Sequence, residues 1–210
     1  MFDRLTTVLK LKTARPHHLM VAFAVVFALA SVISDLGQPP EILVPATNSE
    51  PENLISSPIL PKSEPLQIRI PKINLTADFE ESLGITKTRE VEVPEEYDTV
   101  GYYKYGPTPG ELGPAVILGH VDSVAGPAIF YSLGQLAEGD EIAIDREDGT
   151  TAIFEVTKLE RHLQSGFPTE QVYGNIDHAG LRLITCSGIF DKGVQRYSHN
   201  LIVFAKLKGE

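Results

Sequence analysis

The chain has 210 residues, 42% of them hydrophobic, enough for one ordinary core or two small ones. Its single cysteine, Cys186, excludes an internal disulfide framework and a multi-cysteine zinc site. Four of the 18 basic and two of the 28 acidic residues precede residue 36, so positions 36–210 hold 14 against 26, and this acidic body excludes the basic stripe that a nucleic-acid partner needs.

Residues 19–34, LMVAFAVVFALASVIS, carry no charge over sixteen positions. As a helix this run reaches about 24 Å, a little short of the ~30 Å hydrocarbon core of a bilayer. His17, His18 and Leu36 extend it modestly. Basic residues precede it and acidic residues follow, so the expectation is a transmembrane signal anchor over 19–34, with 1–18 cytoplasmic and the body outside the cell. The small residues of Ala28-Leu29-Ala30 offer the alternative of a cleaved signal peptide. Residues 35–65 hold seven prolines, which deny the segment a helix and keep it extended, as in a stiff extracellular tether.

From residue 66 the apolar runs are short and strand-like. LQIRI alternates and is ended by Pro71. INLTADF and the aromatic TVGYYKYG follow, then GPAVILGHVD, a continuous apolar run of the kind that a strand buried on both faces shows. Two alternating runs in DEIAIDREDGTTAIFEVTKLERHL flank Asp148-Gly149, a strong hairpin signal. GLRLITC and NLIVFAKL are two further strands, and AIFYSLGQL and PTEQVYG are the candidates for short helices. Seven or eight strands in one domain over 66–210 point to an all-β closed barrel or a sandwich, between which periodicity does not choose.

A lone cysteine is ordinarily a small buried hydrophobe. Cys186, however, ends an apolar strand and opens into Ser187-Gly188, in a chain whose apparent export would make a spare thiol an oxidation liability. A thiol nucleophile needs an imidazole or cation nearby. Of six histidines, His120 alone closes a long apolar strand, the same position that Cys186 occupies in its own. If 181–186 and 200–206 are antiparallel neighbours joined by a loop over 187–199, Arg196 lies at the same rim and its guanidinium can hold a developing oxyanion. The plainer reading of Arg196 is a surface pair with Asp191. His120 and Asp122 together make only a weak metal signal, because strand residues two apart share a face for ordinary reasons. Acidic 90–98, EVEVPEEYD, reads as a solvated loop.

VILGHVDS with FYSLGQLAEGDEIAI, LRLITCSGIFD and RYSHNLIVFAKL resembles the sortase family, nearest to the class F type of actinobacteria, over about residues 66–207. The resemblance implies a closed eight-stranded β-barrel with one or two short helices; the expectation beside it is a monomer without cofactor or metal, since the acidic cluster of the family's calcium-binding member has no match here. It implies a cysteine transpeptidase on the outer face of the cell membrane, with Cys186 as nucleophile, His120 as general acid/base and Arg196 as oxyanion and substrate-positioning group. Thr185 would line the substrate groove, and 164–180 would frame it. The substrates would be surface proteins bearing a Leu-Pro-x-Thr-Gly-like C-terminal sorting motif, and the acceptor an amine of a cell-wall precursor. Two alternatives stand beside this one: an exported cysteine peptidase that gives its thioester to water, and a membrane-tethered barrel that binds peptide without turnover.

Overall fold

The computed structural model describes residues 58–209. The expected cytoplasmic lead-in at 1–18, the membrane anchor at 19–34 and the tether as far as residue 57 lie outside the described residues. Eight strands form a closed barrel: β1 (Pro65–Ile70), β2 (Leu75–Leu83), β3 (Val100–Tyr103), β4 (Gly113–Leu118), β7 (Glu141–Arg146), β8 (Thr151–Leu163), β9 (Ala179–Asp191) and β10 (Arg196–Leu207). A separate two-stranded ribbon is made by β5 (Asp122–Ser123) and β6 (Gly126–Pro127). Around the barrel the order is β1-β2-β3-β4-β9-β10-β8-β7, with β7 returning to β1. This is the closed eight-stranded barrel expected, and the alternation of the sequence explains its wall.

In β7 and β8 the residues Ile142, Ile144, Ala152, Phe154 and Val156 are buried, and their neighbours face outward, as period-2 patterning requires. The turn between these strands is made at Asp148-Gly149, where Gly149 takes a φ of 80°. In β1, Ile68 and Ile70 enter the core, while Arg69 on the opposite face grips Asp145 through two hydrogen bonds of 2.7 and 3.1 Å. Pro71, which has no N–H to give a ladder, ends that strand.

β4 is buried on both faces for two different reasons. Ala115 and Ile117 belong to the barrel interior. Val116 belongs to a second apolar layer outside the barrel, with Ile184, Ile202 and Phe204, and α1 (Thr169–Tyr173) covers this layer through the fully buried Val172. Burying a side chain such as Val172 stabilises by about 1.5–3 kcal/mol, which is what seats so short a helix. The other expected helix, over 128–136, is a series of turns with one 3-10 turn at Leu133–Gln135. Phe130 and Leu133 are both driven into the barrel core, and the backbone follows them rather than a helical repeat.

Two expectations change. The segment 187–199 is not a loop: β9 and β10 pair beyond Cys186 out to Asp191 opposite Arg196, leaving only 192–195 as a turn. Phe190 and Tyr197, both good strand formers, hold this extension together with ring centroids 5.1 Å apart. The part of the expected tether that is described, residues 58–65, lies on the barrel. The Leu60 amide bonds the Gly110 carbonyl at 2.8 Å, Ser63 is buried, and Pro65 already belongs to β1.

Candidate active site

The site grows from two strands that are neighbours in space and far apart in sequence. β4 pairs with β9 in parallel, Gly113 with Ala179 through Leu118 with Ile184. One residue further on, the Gly119 amide still bonds the Ile184 carbonyl at 3.2 Å. His120 follows Gly119, and Cys186 holds the matching place on β9. The strand alternation then fixes their faces. Leu181, Leu183, Ala115, Ile117, Leu201 and Val203 face the core, whereas Ile184, Val116 and Ile202 face the outer layer. By the same alternation Cys186 and its cross-strand partner Asn200 share the outer face, and His120, two residues past the end of β4, continues the outward positions Val116 and Leu118. Gly119 is needed for this approach, since a Cβ there would sit 2.7 Å from the Phe130 ring.

Thr185, expected to line a groove, is on the other face of β9. It is 4% exposed, and among the described residues its Oγ1 finds no hydrogen-bond partner. Strand alternation puts it beneath Cys186 rather than beside it, so its side chain does not line a surface groove.

Cys186 is half-buried. Burial pushes its thiol pKa up, the Asp122 carboxylate adds to the rise, and the Arg196 charge opposes it. The resting sulfur is therefore held as a thiol. Among the described residues no hydrogen bond joins Cys186 to His120. His120 is instead held from its far side: its Nε2 lies 2.8 Å from the Pro94 carbonyl oxygen. A carbonyl only accepts, so Nε2 carries the proton and Nδ1 is left to exchange one. The Tyr97 ring packs on the imidazole with centroids 4.6 Å apart.

Arg196 is exposed and does not pair with Asp191, although the two are opposite each other in the ladder. Asp191 Oδ1 is occupied by the Gly193 and Val194 amides of the turn. Arg196 instead reaches Glu90, at 3.3 Å, with both side chains more than 60% exposed. The acidic segment read as a solvated loop is thus in contact with the site: Glu90 meets Arg196, and Pro94 and Tyr97 hold His120. Sequence reasoning missed Tyr97 and Pro94 because their contacts use a ring face and a backbone carbonyl, which leave no residue-type signature. It also missed Tyr197, whose hydroxyl donates to Asp122 and whose own pKa is pushed up to about 12 by that bond and by burial. Asp122, singled out as a weak metal ligand, is engaged by a phenol. Among the described residues no group of three or more His, Cys, Asp or Glu side chains could hold a metal ion.

A half-buried thiol, a tethered imidazole and a loosely held guanidinium at one rim suit acyl transfer. The fold is similar to that of solved sortases. Sortase C1 of GBS pilus island 1 shares 19% identity at a TM-score of 0.51, with 69% of this chain and 65% of that one covered. Sortase A from Corynebacterium diphtheriae shares 22% at 0.54, covering 71% and 63%. A Clostridium perfringens sortase D5 transpeptidase shares 23% at 0.52, covering 70% and 79%. No curated protein matches the chain significantly. The sortase domain model matches residues 68–208, the whole of the barrel from within β1 to just past β10. By that match the chain belongs to the sortase family, a family of cysteine transpeptidases.

Proposed function

We propose that this protein is a membrane-anchored cysteine transpeptidase, of the class F type its motifs resemble, acting on surface proteins with a Leu-Pro-x-Thr-Gly-like motif. The observation that supports the reading is the parallel β4–β9 ladder, past whose Leu118–Ile184 end His120 and Cys186 each follow two residues on. Cys186 loses its proton to His120 Nδ1 as Sγ attacks the Thr–Gly carbonyl carbon, and Arg196 donates to the oxygen as it gains charge. His120 passes that proton to the leaving amine, the Thr–Gly bond breaks, and a thioacyl-enzyme remains. An amine then takes the acyl group, and the thiol is restored.

Burial and the Asp122 charge favour the thiol at rest. The Glu90 pair does not lock Arg196 away, because an exposed ion pair is worth only about 0–1 kcal/mol. The buried outer layer over β4, β9 and β10, covered by α1, seats the strands that lead to Cys186 and His120. Thr185 lies beneath Cys186 on the core side.

The test is incubation of the full-length chain with a Leu-Pro-x-Thr-Gly peptide, with and without an added amine, read by mass. The expected result is an amine-dependent product together with a peptide–enzyme thioester on Cys186. Acid product alone, whatever the amine concentration, supports the hydrolytic peptidase instead. Binding without any thioester supports the non-catalytic barrel. Membrane anchorage through 19–34 is checked separately, by partition of the full chain into the membrane fraction and its loss from that fraction when 19–34 is deleted.

A further inference from the structure

We propose that Asp122, held by the Tyr197 hydroxyl, is the site that receives the ammonium group of the acceptor amine in the second half of the reaction. The inference rests on the transpeptidase reading and adds a binding residue to it. Asp122 lies two residues past His120, on the ribbon strand β5, and Tyr197 lies next to Arg196 on β10. Their hydrogen bond spans 75 positions of sequence and closes the rim between the His120 and Arg196 strands.

Three observations point the same way. Asp122 is half-buried, and among the described residues it has no cationic partner. Its side chain accepts from one neutral phenol, which occupies Oδ2 and leaves Oδ1 for a donor. The hydrogen bond to a carboxylate, with burial second, keeps Tyr197 a donor, so the phenol orients Asp122 without competing for a proton. The Asp122 charge also reaches Cys186 and makes the thiol harder to ionise. A carboxylate there hinders the first half-reaction, so its use is to be sought in the second. Once the sulfur is acylated it bears no charge, the hindrance is gone, and the same carboxylate attracts a cation to the thioester.

The chemistry balances. The bound ammonium loses one proton to His120 Nδ1, which passes it to solvent. The freed amine attacks the thioester carbonyl carbon, the C–N bond forms, and the C–S bond breaks. The second proton shed by nitrogen ends on Sγ.

The test compares two acceptors on full-length protein at neutral pH: glycinamide, largely an ammonium ion, and hydroxylamine, largely neutral. In Asp122→Asn, peptide hydrolysis should rise, because the thiol ionises more easily. The ratio of hydroxamate to acid should hold, and the ratio of glycinamide product to acid should fall about tenfold, the scale of one charge-assisted hydrogen bond. Tyr197→Phe, which keeps the carboxylate and frees it, should lower the glycinamide ratio in the same direction and by less. In the parent, added salt should depress the glycinamide ratio and spare the hydroxamate ratio, a reading that needs no variant to fold. A parallel fall with both amines, an unchanged glycinamide ratio in Asp122→Asn, or a salt effect shared by both amines would overturn the proposal. A parent that forms no thioester fails earlier and separately, and removes the transpeptidase reading on which the proposal rests.

Discussion

The two long hairpins of the barrel each carry an arginine at the turn end, and the two are treated in opposite ways. In β7–β8, Arg146 is fully buried. It donates to the Pro61 carbonyl and to Thr150 Oγ1 at 3.1 Å, and it lies 3.5 Å from Asp148. In β9–β10, Arg196 is exposed, with one distant carboxylate for company. The first arginine gives both of its terminal nitrogens to the chain itself, one of them to the segment 58–65 that precedes β1, and its Nε alone has no partner among the described residues. Burial with partners from the chain itself marks a cation that builds the fold, and exposure with a weak partner is what the transpeptidase reading asks of one that meets a substrate.

The sharpest separation of the two hairpins is at Cys186. Cys186→Ala should remove turnover altogether and leave the melting temperature within a few degrees of the parent, since one half-buried sulfur leaves a small cavity. Arg196→Lys should fold normally and acylate about 100–1000-fold more slowly at saturating peptide, because lysine keeps the charge and loses the planar fork. Arg146→Ala should do the reverse. It should cost about 3 kcal/mol in denaturant unfolding through the unpaired Pro61 carbonyl and Asp148, with kcat reduced little in the fraction that remains folded. If Arg146→Ala proved neutral to stability and Arg196→Lys destabilising, the contrast between the hairpins would be wrong.

A smaller effect tests the charges around the thiol. Alkylation of Cys186 by iodoacetamide should rise with pH only above the range of an ordinary thiol, because burial and Asp122 favour the protonated form. Replacing Arg196 by Ala removes the one opposing charge and should move that rise to still higher pH. Glu90→Gln should have the least effect: acylation faster than the parent by less than about fivefold, in keeping with an exposed pair worth under about 1 kcal/mol. A large gain would make the Glu90–Arg196 contact a true restraint on the enzyme.

The barrel wall was legible in the sequence because alternation writes inside and outside directly, as in EIAIDR and TAIFEV. The position of Cys186 and His120 at strand ends was legible because each closes an apolar run. Arg196 was legible by position and by family resemblance, but its partner was not: Glu90 lies 106 residues away, while Asp191 is opposite it in the ladder. Residues 90–98 looked solvated because their charges are solvated; what touches His120 is a tyrosine ring and a proline carbonyl set among them. The inward side of Thr185 follows from a one-residue alternation that motif likeness does not encode.

The β4–β9 pairing joins residues 66 positions apart, and the two strands run parallel, so no local turn can bring them together. Closing such a contact is slow and belongs to the late, non-local part of folding. Cys186 and His120 are therefore strangers in any chain that is still extended or half-collapsed. A newly made copy carries a separate thiol and a separate imidazole until the sheet is complete. Peptide-directed labelling of Cys186 should then keep time with barrel closure itself, and the enzyme supplies its own stopwatch for the last step of its assembly.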